Sequence, residues 1–233
     1  MLISVDFIPI MCLKRIISEM EFVELLRIVG DEPIFESSLL FAGIQNIPNL
    51  QRQLARWVQA GYLYQLRREV YMLAPPYQKT RPHPFLAANR MVGASYVSGE
   101  SALAFHGLIP EYVPVITSVT TNRPGHWTNA VGDFQYQHVK IGLFFGYESI
   151  QVDGKQHAFV ATPEKALLDL IHLRSGGDSL PFLESLRLQH LDRLSLQRLD
   201  AFVERADSPK LARAAKLIHS LTRVDAEEYE VLQ

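Results

Sequence analysis

Cysteine is almost absent from this chain of 233 residues, since Cys12 is the single one. It can form no internal disulfide, so a reducing cytoplasm is the expected location. Long apolar runs are also missing. None reaches the ~18 residues that a membrane span needs, so no membrane association is expected. A secretory signal fits poorly, because residues 1–19 lack an early positive region and Asp6 and Pro9 interrupt their apolar run.

Motifs that carry catalysis are missing as well. The eight histidines form no His-x-x-x-His pair, and a single cysteine cannot build a zinc site. There is no Gly-x-x-x-x-Gly-Lys phosphate loop, and the string "SGES" is not a Gly-x-Ser-x-Gly elbow, so helix capping explains Ser98 best. Glu164 and Asp169 are about 140° apart on a helix and do not form a carboxylate pair. The sequence therefore predicts no catalytic residues, no metal site and no cofactor.

The charge of the chain is unevenly distributed although its net value is only −2. Residues 52–90 contain seven basic residues and one acid, for a net charge of +6, whereas residues 1–51 carry −4. A local positive zone of this kind can bind nucleic acid without a high overall isoelectric point.

Three helix patterns precede an alternating hairpin in residues 20–74. The first occupies Met20–Val29, a short extended piece follows at Ile34 and Phe35, and the second helix covers Glu36–Phe41. The third begins near Pro48 and ends at Gly61. Two alternating strands then flank the string "RRE". The buried face of the third helix is predicted to carry Leu50, Leu54, Trp57 and Val58. This order predicts a winged helix-turn-helix whose third helix enters the major groove of DNA.

Side chains on the third helix and at the hairpin tip are suited to DNA. Arginine pairs bidentately with guanine, and asparagine or glutamine pairs with adenine. An arginine pair at the tip of a wing meets backbone phosphate or the minor groove. The predicted DNA-binding residues are Asn49, Arg52, Gln53, Arg56, Arg67 and Arg68.

A proline-rich linker at residues 75–84 is predicted to separate this domain from a second one at residues 85–233. The second region predicts a small sheet followed by C-terminal helices, so the chain as a whole is expected to be α+β. Its clearest local signals are the hairpin dipeptide Asp153-Gly154 and the helix start Thr162-Pro163. In that helix, Leu167, Leu168 and Ile171 are expected to bury one side.

Three strings in the second region resemble a known family. They are "SYVSGESALAFHGLIPEYVPVITSVTTNRPG", "GLFFGYE" and "VATPEKALLDLIHLR". They resemble the AbiEi antitoxins of type IV toxin–antitoxin systems, which act in abortive infection by phage. The resemblance extends over about residues 21–213 and puts "AGYLYQLRREVYML" at the wing. Such wings often have Arg-Arg-Gly, whereas Glu69 stands here in place of the glycine. This departure argues against a tight left-handed turn and adds an acid beside the predicted phosphate contact.

The resemblance implies a transcriptional autorepressor with antitoxin activity. The N-terminal domain would bind inverted repeats in operator DNA, and the C-terminal domain would counteract a nucleotidyltransferase-type toxin, with a direct complex left open. Exposed polar candidates for the second activity are Asn122, Arg123 and Lys165.

Three alternatives stay open beside this expectation: a protein-interaction module, a transcriptional regulator without a toxin partner, and an enzyme with an unrecognised C-terminal site. Residues 1–19 are either a short extra element or an extension upstream of a natural start at Met20.

Overall fold

The computed structural model describes residues 20–41, 46–111 and 113–231, with side chains described as far as residue 223. The chain divides into two compact units, the first ending at Arg81 and the second beginning at Pro82. This boundary lies inside the predicted linker at residues 75–84. Helices and mixed sheets are both present, so the fold is α+β, as the sequence predicted. The two interpretations of residues 1–19 lie outside the described residues.

The described residues of the first unit contain two α-helices and a three-stranded antiparallel sheet of order β1-β3-β2. The helices are α1 (Phe22–Val29) and α2 (Ile47–Gln59); the strands are β1 (Phe35–Glu36), β2 (Leu63–Arg67) and β3 (Val70–Leu73). A short helix does follow at Ser37–Leu40, within the predicted range, and it is a 3₁₀-helix. It begins one residue later than predicted because Glu36 pairs with Val70 in the sheet, next to the pair of Phe35 with Tyr71.

The core of the first unit forms where α1, α2 and the sheet bury their apolar faces. Leu50 and Leu54 of α2 are buried, and Trp57 and Val58 pack against the same core while partly exposed. These are the four residues predicted for the buried face of this helix. Phe22 meets the Trp57 ring edge-on at a centroid distance of 5.4 Å, which fixes α1 against α2.

The second unit surrounds a six-stranded mixed sheet of order β6-β7-β5-β4-β9-β8. The pairs β5–β7 and β4–β9 are parallel, and the other three pairs are antiparallel. The strands are β4 (Ser95–Val97), β5 (Val115–Thr120), β6 (Gly125–Thr128), β7 (Asp133–His138), β8 (Tyr147–Asp153) and β9 (Gln156–Ala161). The helices are α3 (Pro84–Met91), α4 (Gly99–Phe105), α5 (Pro163–Leu173), α6 (Leu180–Ser185), α7 (Leu196–Ala206) and α8 (Pro209–Val231). Short 3₁₀-helices lie at Ile141–Leu143 and Leu191–Arg193.

Local signals account for two elements of this unit. The Asp153-Gly154 dipeptide turns β8 into antiparallel β9, with Gly154 at a positive φ of 49°. Helix α5 starts as predicted, because the Thr162 hydroxyl accepts from the Lys165 backbone N–H at 3.4 Å and Pro163 occupies the first turn. The sequence predicted that only one side of α5 would be buried, whereas every residue from 164 to 171 is buried.

Length and apolar character decide whether a helix can cross a membrane. Within the described ranges, none of the helices combines the length and the apolar character that a membrane span requires.

Candidate nucleic-acid interface

Helix α2 presents its polar side to solvent because its apolar side is committed to the core. The helix begins after Asn46, whose side-chain oxygen accepts from the Asn49 backbone N–H at 3.1 Å, and Pro48 lies in the first turn. With Leu50 and Leu54 buried, the residues on the opposite side of the helix remain exposed.

Two arginines occupy this exposed side one helical turn apart. Arg52 and Arg56 are both exposed, as is Gln59 in the last turn of α2. The Nε of Arg52 donates to the Pro48 carbonyl oxygen over a long distance of 3.4 Å. Residues four apart on a helix are neighbours, so two guanidinium groups can act on adjacent acceptors of one partner.

The other two predicted side chains of α2 do not share this exposure. Asn49 is half-buried in the first turn. Gln53 is buried at 8% exposure, and its amide is engaged by the backbone of Met20. The Oε1 atom accepts from the Met20 N–H at 3.2 Å, and Nε2 donates to the Met20 carbonyl. The prediction of Gln53 as a DNA-facing residue therefore needs correction, because this side chain secures the chain preceding α1.

The hairpin tip carries one strongly exposed arginine rather than two. The side chain of Arg68 is 89% exposed, and its Nε lies 3.8 Å from a carboxylate oxygen of Glu69. Arg67 ends β2 and is half-buried. Arg68 is thus the outermost cation of the tip, and its neighbour Glu69 offsets part of its charge.

Glu69 adopts the left-handed conformation that the sequence argued against. Its φ is +68°, so the tight turn forms without glycine. A non-glycine residue there carries a steric cost of about 1–2 kcal/mol. The Glu69 carbonyl oxygen accepts from the Ser37 backbone N–H at 2.9 Å, a contact that helps to hold the turn.

The basic zone of residues 52–90 is partly neutralised within the first unit. Lys79 forms an ion pair with Asp31 at 2.9 Å, and both side chains are largely exposed. An exposed pair of this kind contributes little to stability. It does, however, reduce the positive field around Lys79.

A buried polar cluster in the second unit was missed by the sequence reasoning. We call it the Lys165 cluster, and it consists of Tyr96, Ser98, Lys165 and Asp169. One carboxylate oxygen of Asp169 accepts from the Tyr96 hydroxyl at 2.9 Å and from the Ser98 hydroxyl at 2.8 Å, and the other pairs with the Lys165 ammonium. All four residues are buried.

The Lys165 cluster corrects two predictions. Lys165 was expected to be an exposed polar candidate, whereas its side chain is 3% exposed. Ser98 precedes α4 but makes no side-chain cap, because its hydroxyl bonds to Asp169 instead. The i, i+4 spacing of Lys165 and Asp169 was the available signal. Of the other two candidates, Arg123 and Asn122 are exposed, and Asn122 donates to the Gly93 carbonyl oxygen at 2.9 Å.

Electrostatics and space both give the Lys165 cluster a structural role. Burial lowers the pKa of Lys165, while the nearby Asp169 carboxylate opposes that shift. Burial also raises the pKa of Tyr96, with Asp169 adding to the effect. The cavity beside these groups has a volume of about 10 Å³, enough for one water.

Glu164 has a different set of partners from Asp169. It is buried, its Oε1 accepts from the Ser195 backbone N–H at 2.8 Å, and its Oε2 lies 3.7 Å from Arg198. The two carboxylates of α5 therefore serve different contacts. Among the described residues, no group of three or more His, Cys, Asp or Glu side chains is arranged to hold a metal ion.

Comparison with known proteins adds no assignment to these observations. The chain matches no protein-family model and none of the curated proteins.

Proposed function

We propose that this chain is a DNA-binding autorepressor and the antitoxin of a type IV toxin–antitoxin operon. The observation that supports DNA binding most strongly is the exposed pair Arg52 and Arg56 on a short helix whose other side is fixed in a core. A following hairpin with Arg68 at its tip adds a second cationic feature in the same unit. Helix, 3₁₀ turn, helix and hairpin follow in the order typical of a winged helix-turn-helix.

In this proposal α2 enters the major groove of the operator. Arg52 and Arg56 pair with guanine acceptors, and Asn49 pairs with adenine near the start of the helix. Arg67 and Arg68 contact phosphate or the minor groove. Gln53 acts indirectly, because its bonds to Met20 fix the chain that leads into α1 against the recognition helix.

The antitoxin activity is assigned to the second unit on the family resemblance of its sequence strings. This antitoxin activity counteracts a nucleotidyltransferase-type toxin without catalysis by this chain. The buried partners of Lys165 and Asp169 support that view, because these groups have no open cavity in which to meet a substrate. The proposed location is the cytoplasm, where operator and toxin are both found.

Salt-dependent binding to the inverted repeats upstream of the gene tests the repressor. If six phosphates are contacted, the logarithm of affinity should fall with the logarithm of salt at a slope of about −5. Arg52→Ala should cost about 1–3 kcal/mol on the operator and little on scrambled DNA. Arg67→Ala and Arg68→Ala should weaken binding to all sequences alike.

Lys155→Ala serves as the matched control, since Lys155 is an exposed cation at the β8–β9 turn in the other unit. It should leave both slope and affinity unchanged. A flat salt response, or an Arg52→Ala variant that still prefers the operator to scrambled DNA by the parent ratio, would contradict groove recognition. The flat response would instead favour a protein-interaction module that docks through α2.

Co-expression with the toxin tests the second activity separately. The full chain should restore growth in cells that express the nucleotidyltransferase encoded beside it. The double variant Arg52→Ala/Arg68→Ala should still restore growth from a foreign promoter while it loses repression of its own. Failure of the parent chain to protect would remove the antitoxin proposal and leave a transcriptional regulator without a toxin partner.

A further inference from the structure

A cavity of about 440 Å³ in the second unit has no role in the functions proposed so far. It lies where the start of α3, the end of α4 and the start of β7 meet. Its volume is in the range of pockets that bind small ligands or anchor side chains, about 300–1,000 Å³. The residues that carry the argument are His83, Phe85, Phe105, Glu111 and Asp133.

One wall of this cavity is aromatic. The rings of Phe85 and Phe105 are 5.5 Å apart, and the His83 ring packs edge-on against Phe85 at 5.1 Å. Phe85 is buried, whereas Phe105 is 42% exposed despite its apolar ring. A partly exposed phenylalanine ring that lines a cavity offers apolar contact and a site for a cation near the ring.

The charge of the cavity is negative. Glu111 and Asp133 line it, and among the described lining residues there is no lysine or arginine. His83 adds no positive charge, because its Nδ1 accepts from the Phe85 backbone N–H at 3.1 Å and therefore carries no proton. Burial also lowers the pKa of this imidazole. The Ser101 hydroxyl is already used, since it donates to the Val115 carbonyl and accepts from the Thr117 N–H.

One of the two carboxylates already receives a guanidinium. Glu111 accepts from Nη1 of Arg187 at 3.3 Å, in a pair whose side chains are well exposed. In the part of the chain that the structure describes, no basic side chain forms an ion pair with Asp133. Asp133, which is half-buried, is therefore the lining carboxylate that we assign to a cation from a partner.

We propose that this cavity binds an arginine side chain presented by a peptide segment of a partner protein. A guanidinium is planar, donates in a fork that matches a carboxylate, and stacks on aromatic faces. Asp133 supplies the carboxylate and Phe105 supplies the face. The cavity is larger than one guanidinium requires, so it also takes the alkyl stem and a neighbouring apolar group. Phosphate-bearing ligands are disfavoured by the same two carboxylates.

Titration of the full chain with blocked tripeptides tests this assignment. Acetyl-Ala-Arg-Ala-amide should bind with a dissociation constant at least ten times lower than its citrulline analogue, which has the same shape without charge. Asp133→Asn should weaken the arginine peptide at least tenfold. Phe105→Leu, which keeps an apolar side chain but removes the ring, should also weaken it. Glu148→Gln, at an exposed acid on β8, should have no effect.

The other possible results of these titrations also test the arginine assignment. Equal binding of arginine and citrulline peptides, or no detectable binding of either at millimolar concentration, overturns the proposal. Agmatine serves as a free alkyl guanidinium. If it binds as tightly as the peptide, the guanidinium chemistry stands and the peptide partner is overturned. If Asp133→Asn unfolds the chain, Phe105→Leu and the citrulline peptide still test the site. DNA binding does not enter these measurements, so their result is independent of the repressor proposal.

Discussion

The glutamine at position 53 illustrates how far a helical pattern can specify a single side chain. Gln53 lies about 60° from Leu50 on the helix, at the border of the buried face rather than in the centre of the exposed one. Side-chain chemistry alone suggested adenine recognition. Its observed partner, the backbone of Met20, is distant in sequence, and no local pattern identifies such a contact.

Replacing Gln53 should therefore affect stability more than sequence preference. Gln53→Ala leaves the buried N–H and carbonyl of Met20 without their partner, so we expect a loss of about 1–3 kcal/mol in the free energy of unfolding. Urea denaturation measures this loss. The remaining folded protein should keep its ratio of operator to non-specific affinity, in contrast to Arg52→Ala. A Gln53→Ala variant of parental stability and altered base preference would restore the original prediction.

The left-handed residue at the hairpin tip provides a second prediction at the same scale. Glu69→Gly relieves the steric cost of the positive φ, and we expect the first unit to gain up to about 1 kcal/mol. DNA binding should also strengthen, because Arg68 loses its neighbouring carboxylate. Glu69→Ala is the matched control, since it removes the charge and keeps the strain. Equal stability of the two variants would contradict the strain argument.

The Lys165 cluster allows a stronger prediction about stability. Asp169→Asn leaves a buried ammonium without its counter-charge, and such a change costs about 3–5 kcal/mol. Denaturant unfolding should detect it, with Asp192→Asn, at an exposed acid in the 3₁₀-helix Leu191–Arg193, as the control. The double variant Lys165→Met/Asp169→Asn should lose less than Asp169→Asn alone, because no isolated charge remains and the asparagine carbonyl can still accept from Tyr96 and Ser98. An Asp169→Asn variant as stable as its parent would show that the pair is unimportant.

At the scale of elements, the sequence was informative where the deciding contacts are local. Helix α2, the β2–β3 hairpin, the Asp153-Gly154 turn and the Thr162 cap each depend on neighbours within a few residues. The sequence also indicated the extended piece that became β1, but its pairing with β3 is non-local and no local pattern reveals it. The order of the six-stranded sheet and the contact between β4 and α5 at Asp169 are non-local for the same reason.

Two histidines at helix ends should make stability sensitive to mild acid. Burial lowers the pKa of His83, at the start of α3, and of His172, near the end of α5, below the ordinary value of 6.5. Below that pH the unfolded chain binds protons that the folded chain does not. Their contribution is therefore complete above pH 6.5 and is lost as the pH falls toward the lowered values.

Melting temperatures between pH 7.5 and 5.5 measure this effect in a window above the titration of carboxylates. The parent should lose melting temperature as the pH falls. The double variant His83→Asn/His172→Leu should lose less, and asparagine can still cap α3. An identical slope in both proteins would rule out the two imidazoles as the source.

At the scale of the whole molecule, the chain divides into two compact units, and this division has a measurable consequence. Residues 82–233 contain the six-stranded sheet and all helices packed on it, so we expect this fragment to fold by itself. It should unfold in one cooperative transition and show dispersed amide resonances. A fragment that stays unfolded would mean that its stability depends on the first unit.

The functional residues of either unit were harder to predict from the sequence than the fold, because exposure and burial decide which polar side chains can contact a partner.

Helix α5 and the β8–β9 turn differ sharply in how they should tolerate a change in chain length. One residue inserted between Lys165 and Asp169 would rotate the later side chains of α5 by about 100° and break this buried pair. At the turn, Asp153, Gly154 and Lys155 are exposed, and a Cβ on Gly154 would meet no atom within 4 Å. An epitope tag or a spectroscopic label placed between Gly154 and Lys155 therefore gives a means to follow the protein in cells with its interior untouched.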